Sequence, residues 1–421
     1  MNILVLGSGA REHSICWAVK KSKSCEKLFC SPGNAGIQKI AVCEFINLKK
    51  KIHILDFCKN NSIDLVIIGP EEYLADGVSD YLQNRGIKTF GPVKKAAKLE
   101  TSKSFAKSFL LKNKILTPKY RKFTAVNKAI NYLNSINFPT VIKADGLAAG
   151  KGVIICKNLN EAKQTIKLMM KKKRFGDAGK KIIIEEFIDG FEISYFSFFD
   201  KKTFLPLGYA LDHKRAFDND LGPNTGGMGC FTPSKKVSKN LEKKIIKNII
   251  EKTFLGFKKE SFTYRGILFF GLIIKNNEPY VIEYNVRFGD PECQTLLRKL
   301  NTDFLEIITS ITKDELGKIK ITNSRKSVVC VVLASKGYPE SYNKEILIPN
   351  LKKIKDDEKT IIFHAGTKNL SSNYFSNGGR VLSVTSTGKT IEEARKSAYK
   401  VLKKLNWKDG FYRKDIGFKN F

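Results

Sequence analysis

The chain of 421 residues lacks any apolar run approaching the roughly 20 residues that a membrane-crossing helix needs, and no membrane partner is expected. A secretory leader is not expected either. Met1-Asn2-Ile3-Leu4-Val5-Leu6-Gly7 reads as a strand entering a turn, without the basic front and long apolar middle of a signal peptide, which predicts a cytoplasmic protein. Nine cysteines are present but no C-x-x-C pair, and the odd number argues against a disulfide framework and against structural zinc. They are expected to be small core residues in a reducing compartment. Acidic residues are few, 41 against 75 Lys and Arg, leaving a net charge of +34. Such a charge favours adhesion to nucleic acid. However, no basic block is interleaved with aromatics as in a single-strand groove. The lysines are spread along the whole chain, many beside Asn and Ile (Lys112-Asn113-Lys114-Ile115), so no nucleic-acid partner is expected. There is no internal repeat and no long low-complexity linker.

What is present points to several domains, since the length exceeds one ordinary core. Residues 1 to about 100 alternate short apolar strands (2–6, 64–68, 87–90) with amphipathic stretches (11–22, 73–85), the rhythm of parallel strands with crossover helices. Two strand ends carry Gly69-Pro70 and Gly91-Pro92, and ligands of such sheets bind at carboxyl ends of strands. Thr101-Ser102-Lys103-Ser104 caps a helix to about 113. Residues 139–156 read strand, glycine loop, strand. Residues 182–199 read as two strands around the hairpin signal Asp189-Gly190, a helix covers 238–256, and strands near 267–274 and 280–284 flank Asn276-Asn277. From about 325 a third region has strands at 328–333 and 380–385 and a helix at 390–404.

Five segments could carry chemistry. Gly7-Ser8-Gly9-Ala10-Arg11-Glu12 approaches a dinucleotide fingerprint but has Glu12 at the third glycine position. A phosphate still suits a helix N-terminus there, with Arg11 adding a charge; the alternative is a plain tight turn. Lys143-Ala144-Asp145-Gly146-Leu147-Ala148-Ala149-Gly150-Lys151-Gly152 fails as a P-loop, since Asp145 holds the first glycine position and Gly152 offers no hydroxyl. A glycine lid between antiparallel strands, with Lys143 beneath it, suits another way of covering a triphosphate. Ile182-Ile183-Ile184-Glu185-Glu186-Phe187-Ile188 and Glu192 could line an adenosine pocket. On the strand Val281 to Arg287, alternation places Glu283, Asn285 and Arg287 on one side, hard oxygen donors for magnesium followed by a guanidinium able to clamp a carboxylate. Asp212-His213-Lys214-Arg215, then Gly222 to Gly229 with four glycines in eight residues, suggest an anionic ligand; His213 is read as structural.

In this order the motifs resemble the phosphoribosylamine–glycine ligase family (glycinamide ribonucleotide synthetase), essentially end to end. The most specific pieces are Gly7 to His13, Pro32 to Gly36, Ile142 to Val153, Asp212 to Gly229 and Glu283 to Glu292; His364 to Thr367, Gly378 to Leu382 and Tyr412 to Gly417 look like the family's C-terminal domain. The resemblance implies an α/β and α+β multidomain fold: a Rossmann-like pre-ATP-grasp N-domain (1–101), a two-lobed ATP-grasp (102–324, lid about 120–190) and a rudimentary C-terminal domain (325–421). It implies that ATP phosphorylates glycine and that phosphoribosylamine attacks the acyl phosphate, with Mg2+ or Mn2+. Lys103, Lys143 and the lid residues Asp145, Gly146, Gly150, Lys151 and Gly152 would hold the phosphates; Glu185, Glu186, Ile188 and Glu192 the adenosine; Glu283 and Asn285 the metal. Arg287 would orient glycine, with Lys143 the second catalytic group. Gly9, Arg11, Glu12, Asn34, Gly36, Glu71, Asp212, Lys214, Gly226 and Gly227 would hold substrate. A monomer acting on small molecules is expected, with no synthetase or transformylase fused behind it. Three rivals are a formate- or bicarbonate-activating ligase of the same superfamily, a basic nucleic-acid-binding protein on an old nucleotide fold, and a dinucleotide-dependent oxidoreductase. Arg287 and the Asn224–Gly229 loop argue against the first, and Glu12 against the last.

Overall fold

The computed structural model describes residues 1–148, 152–171 and 176–418; Gly150 and Lys151 of the glycine loop lie outside them. The N-terminal region is a five-stranded parallel sheet in the order Val42–Cys43, Lys27–Pro32, Asn2–Gly7, Leu65–Ile68, Lys88–Phe90. The continuous apolar runs Leu65–Ile68 and Ile3–Leu6 are buried on both faces, as parallel strands under crossover helices must be. The strand order reverses between Asn2–Gly7 and Leu65–Ile68, so a crevice opens at their carboxyl ends, where Gly9, Glu12, Gly69 and Glu71 sit. The amphipathic stretch at 73–85 is two helices, Glu71–Asp76 and Val78–Gln83. Gly77, at φ +81°, breaks them apart in a left-handed conformation that the hydrophobic period cannot signal.

A second, four-stranded antiparallel sheet (Tyr120–Phe123, Ile182–Glu186, Thr140–Ala144, Val153–Cys156) forms the lid lobe, packed on the helices Val126–Tyr132 and Leu159–Met170. The chain enters it at Lys119 and leaves at Glu186. These two residues are bonded to each other: Glu186 N–H donates to the Lys119 carbonyl at 3.0 Å, and Lys119 N–H to the Glu186 Oε1 at 2.8 Å.

The third sheet is central. Its antiparallel path runs Glu278–Asn285, Gly266–Lys275, Phe191–Phe199, Phe204–Asp212, Gly229–Thr232, Ser327–Ser335, Arg380–Gly388, Thr360–His364. The C-terminal region therefore extends the sheet of the middle region. The expected hairpin at Asp189-Gly190 does not form. Ile182–Glu186 belongs to the lid sheet and Phe191–Phe199 to the central one, and this segment is the crossover between them. Gly190 is there for room, because a Cβ would lie 2.3 Å from the Ile274 carbonyl oxygen. The Asn276-Asn277 turn does close a hairpin, both residues at positive φ (51° and 60°) as a type I′ turn needs. The single helix expected at 238–256 is Lys239–Ile245 and Lys252–Lys259 joined through a π-helical stretch, Ile246–Glu251. The last helix, Ile391–Leu405, is capped by the Thr390 side chain and ends at Asn406 in a left-handed conformation; Ile391, Ala394, Ala398, Leu402 and Leu405 bury its one apolar face.

Candidate active site

The side chains singled out above gather where the lid sheet, the central sheet and the N-terminal crevice meet. Lys143, on the lid strand Thr140–Ala144, is buried, and its Nζ donates to the Ile282 carbonyl at 3.0 Å and lies 2.9 Å from Glu185 Oε2. Lys103 sits in the first turn of the helix Lys103–Lys112, whose N-cap is Ser102, and donates to the Gly146 carbonyl at 3.1 Å. Burial pulls its pKa below the usual lysine range, with the neighbouring Lys143 charge adding to the effect. Asp145 is turned elsewhere: its carboxylate accepts from Ser104 N–H at 2.9 Å, Ser104 Oγ at 2.6 Å and Ser102 Oγ at 3.2 Å. It therefore braces the base of the glycine loop against the positive end of that helix rather than facing a phosphate.

Glu283 lies on the strand Glu278–Asn285, with Asn285 two residues on and on the same face. The facing residue is Gly271, whose missing Cβ would lie 2.7 Å from Glu283 Cγ. Burial opposes the Glu283 charge, but Lys214, Lys143, Lys103 and Arg287 outweigh it and hold the carboxyl below the usual range. A carboxylate and an amide oxygen, side by side, are hard donors of the kind a phosphate-bound divalent cation takes. Among the described residues no three His, Cys, Asp or Glu side chains cluster as a metal cage. A cation held here would share its coordination with substrate oxygens.

The strand ends at Asn285, so Arg287 follows in the loop beyond. Its Nε donates to Glu71 Oε2 at 2.8 Å and its Nη2 lies 2.9 Å from Glu100 Oε1. Burial favours the neutral form of Glu71, yet the Arg287 and Arg11 charges pull its pKa to about 2. Burial pushes Glu100 up to about 7 despite Arg287. Lys214 bonds Glu192 Oε2 at 3.0 Å and lies 3.9 Å from Glu283 Oε1, joining the end of the lid crossover to the candidate metal site. Burial and the Glu292 charge raise the Asp212 pKa well above the ordinary value; its Oδ1 accepts from His213 N–H at 2.8 Å.

Several expected binding residues have structural duties. Glu12 is buried; its carboxylate accepts from Gly9 N–H at 2.7 Å and from Arg11 Nε at 2.6 Å, and it occupies the space beside Gly7 and Gly69. It fills the place where a dinucleotide phosphate would sit. Arg11, also buried, donates its Nη1 to the Phe288 carbonyl at 3.2 Å and ties the turn to the central region. Asn34 donates to the Ser8 and His364 carbonyls and accepts from Gly36 and Ile37 N–H, so its amide joins the N- and C-terminal regions. A Cβ on Gly36 would lie 2.5 Å from both His13 and His364, so this glycine permits that contact. Glu185 is 2% exposed, its carboxylate is engaged by two lysines, and its carbonyl accepts from Thr140 Oγ1. Ile188 is buried and Glu186 closes the lid base, with the Glu192 carboxylate half in solvent.

Residues without a sequence-assigned role complete the site. Arg380 donates to the Gly226 carbonyl at 2.8 Å and lies 3.4 Å from Asp290 Oδ2, while the Tyr338 hydroxyl accepts from Gly226 N–H at 3.1 Å. The C-terminal region thus shapes the Gly226-Gly227 loop. The Gly378-Gly379-Arg380 run was visible, but its target was not. Glu100 and Lys107 carried no signal beyond an ordinary helical charge.

Comparison with known proteins agrees with this layout. Residues 1–100, 101–293 and 328–419 match, respectively, the N domain, the ATP-grasp (A) domain and the C domain of phosphoribosylglycinamide synthetase. The chain is 46% identical to the phosphoribosylamine–glycine ligase of Fusobacterium nucleatum, covering 99% of this chain and 98% of that protein. It is 42% identical to the chloroplastic enzyme of that name from Arabidopsis thaliana, covering 97% of this chain and 78% of the plant protein. Among solved structures, the phosphoribosylamine–glycine ligase of Thermotoga maritima superposes with a TM-score of 0.86 at 33% identity, over 99% of this chain and all of that one. The biotin carboxylase domain of Hydrogenobacter thermophilus 2-oxoglutarate carboxylase, at 15% identity and a TM-score of 0.74 over 98% of this chain and 91% of that one, shares the fold alone. The chain is a multidomain α/β ATP-grasp protein and belongs to the phosphoribosylglycinamide synthetase family.

Proposed function

We propose that this enzyme joins glycine to 5-phosphoribosylamine with ATP, giving glycinamide ribonucleotide, ADP and phosphate through glycyl phosphate. The observation that carries the reading is the convergence of Lys103, Lys143 and Lys214 on Glu283, at the edge where the lid strand meets the central sheet. Ammonium groups gathered about a carboxylate supply the point charges and the hard oxygen donor that suit a triphosphate with its cation.

A carboxylate is a poor electrophile, and transfer of the γ-phosphoryl group makes one of its oxygens a leaving group. That transfer depends on positioning and charge neutralisation. Lys143 and Lys103 hold the phosphates, with Gly146 and Gly152 allowing close backbone approach. Ile188 and the backbone around Glu186 receive the base, and Glu192 the ribose. Glu283 and Asn285 would hold Mg2+ or Mn2+, which would supply charge neutralisation at the phosphates. Arg287 orients the glycine carboxylate, exchanging its contact with Glu71 for the substrate. The Asp212–Lys214 segment, the Gly226-Gly227 loop and the turn at Gly9 line the place for the phosphoribosyl part. Its amine is already a nucleophile, so no enzyme nucleophile is needed; exclusion of water protects the acyl phosphate. The functional division is 1–101, 102–324 and 325–421. The enzyme acts as a cytoplasmic monomer on small molecules, with no nucleic-acid or membrane partner.

The test is ADP release with magnesium and phosphoribosylamine generated in situ, with and without glycine. Glycine-dependent ADP release with glycinamide ribonucleotide detected by mass is the expected result. Turnover indifferent to glycine but responsive to formate or bicarbonate would keep the fold and overturn the substrate.

A further inference from the structure

Glu185 stands at a junction that the phosphate site alone does not require. It lies on the lid strand Ile182–Glu186, and its carboxylate meets two lysines from different parts of the fold. Oε2 is 2.9 Å from Lys143 on the neighbouring lid strand; Oε1 is 3.2 Å from Lys107 on the helix Lys103–Lys112, an ionic contact. Both lysines are buried, Lys107 at 2% exposure. The remaining hydrogens of Lys107 are directed away from the nucleotide site, to Thr117 Oγ1 at 2.6 Å and the Pro118 carbonyl at 3.5 Å, and the Tyr120 ring lies 5.7 Å from its Nζ. Thr117 Oγ1 donates in turn to the Val281 carbonyl at 2.7 Å, next to Ile282, whose carbonyl accepts from Lys143. The circuit closes on the strand that carries Glu283 and Asn285. It connects the helix, the chain leading into the lid, the lid sheet and the central sheet.

Charge counting shows what the second lysine does. One buried carboxylate against one ammonium cancels, and Lys143 would offer an anion little net attraction. Two ammonium groups against one carboxylate leave one positive charge. Lys107 cannot deliver it, because its donors are taken. Among the described residues, Lys143 has partners for two of its three N–H donors. Burial lowers the Lys107 pKa to about 8, so the fold pays to keep a cation at a helix position where Ala106, Phe109 and Leu110 are the buried neighbours.

We propose that Lys107 and Thr117 are positioning residues for Lys143: acting through Glu185, they fix its ammonium group at the nucleotide phosphates and preserve a net positive charge there. The proposal rests on the reading of Lys143 as a phosphate ligand. The test is Lys107→Met in the full chain, with MgADP titrated by calorimetry beside steady-state kinetics. The expected result is a Kd for ADP and a KM for ATP raised about tenfold, with the KM for glycine changed less than about twofold. In a Glu185→Gln background the same substitution should change ADP affinity by less than about twofold, because the carboxylate through which it acts is gone. Undiminished ADP binding by Lys107→Met, or an equal loss with and without the Glu185 carboxylate, overturns the proposal. Should Lys107→Met fail to fold, Thr117→Val keeps every charge and should weaken ADP binding about threefold; unchanged affinity overturns the proposal there too. A protein that binds MgADP with these dependences but ignores glycine would reject the ligase reading and leave the positioning role standing.

Discussion

Arg287 sits between Glu71 and Glu100, and removing it would take away the stronger of the two arginine charges that hold these carboxyl groups, leaving Arg11. Arg287→Ala should therefore lower kcat/KM for glycine by about 2–5 kcal/mol, far more than it alters ATP affinity, and should also lower Tm. An unchanged glycine dependence would remove it from the substrate site. Glu283→Gln keeps the shape and takes away the charge that Lys103, Lys143 and Lys214 surround. Turnover measured across a magnesium titration should vanish while far-UV circular dichroism is preserved; normal magnesium-dependent activity would move the metal elsewhere. At this scale the sequence singled out Glu283, Asn285, Arg287 and Lys143 from strand and loop patterns with few other uses, and the structure brings the charges of Lys143 and Arg287 to bear on Glu283. The sequence did not show their partners. That Glu12 would fill the fingerprint crevice, that Asp145 would cap a helix, or that Arg380 would reach Gly226 from 154 residues away depends on tertiary packing.

Among the elements, two turn signals of equal local strength had opposite outcomes. Asn276-Asn277 closes a hairpin because both residues take positive φ and the flanking strands pair with each other. Asp189-Gly190 links two sheets, and its glycine answers to the Ile274 carbonyl rather than to a turn. Local sequence encodes backbone conformation and apolar period, and it leaves unstated which strand a strand will pair with. Asn277→Gly relieves the left-handed strain of a side chain in the hairpin turn and should stabilise the protein by about 0.5–1 kcal/mol, read as a higher urea midpoint at unchanged m-value. Gly190→Ala should do the reverse, since its Cβ would collide with a backbone oxygen.

For the whole molecule, the N- and C-terminal regions meet through His13 and His364. The His364 N–H donates to His13 Nδ1 at 2.8 Å, and burial, helped by the Lys39 charge, pulls the His13 pKa down to about 3. An unfolded histidine titrates near 6.5, so between about 6.5 and 3 the unfolded chain takes a proton that folded His13 refuses. Stability is then lost as pH falls through that window, by roughly 1.4 kcal/mol per pH unit for one such group. Glu100 acts in the opposite sense between about 7 and 4.5, since its folded carboxyl holds its proton more tightly than the unfolded one. The difference between wild type and His13→Asn isolates the histidine: the variant should lose less stability between pH 6.5 and 4.5, and parallel pH curves would show that His13 does not refuse the proton. The multidomain plan and the order of its parts were legible from length and alternating elements. The single sheet shared by the middle and C-terminal regions was not, because its seam pairs Gly229–Thr232 with a strand about 100 residues later.

The bond between Lys119 and Glu186 has a consequence for how this molecule is assembled. The lid lobe leaves the body and returns to it through neighbouring residues, with its own sheet, its own two helices and its own apolar core between them. It is therefore an insert whose chain enters and leaves its host at one place. A chain in which a short turn bridges 119 to 186 keeps the central sheet and the N-terminal crevice while surrendering Lys143 and Glu185 together. Grafts of a foreign lobe at the same seam could exchange the nucleotide cover without disturbing the residues that receive the other substrates.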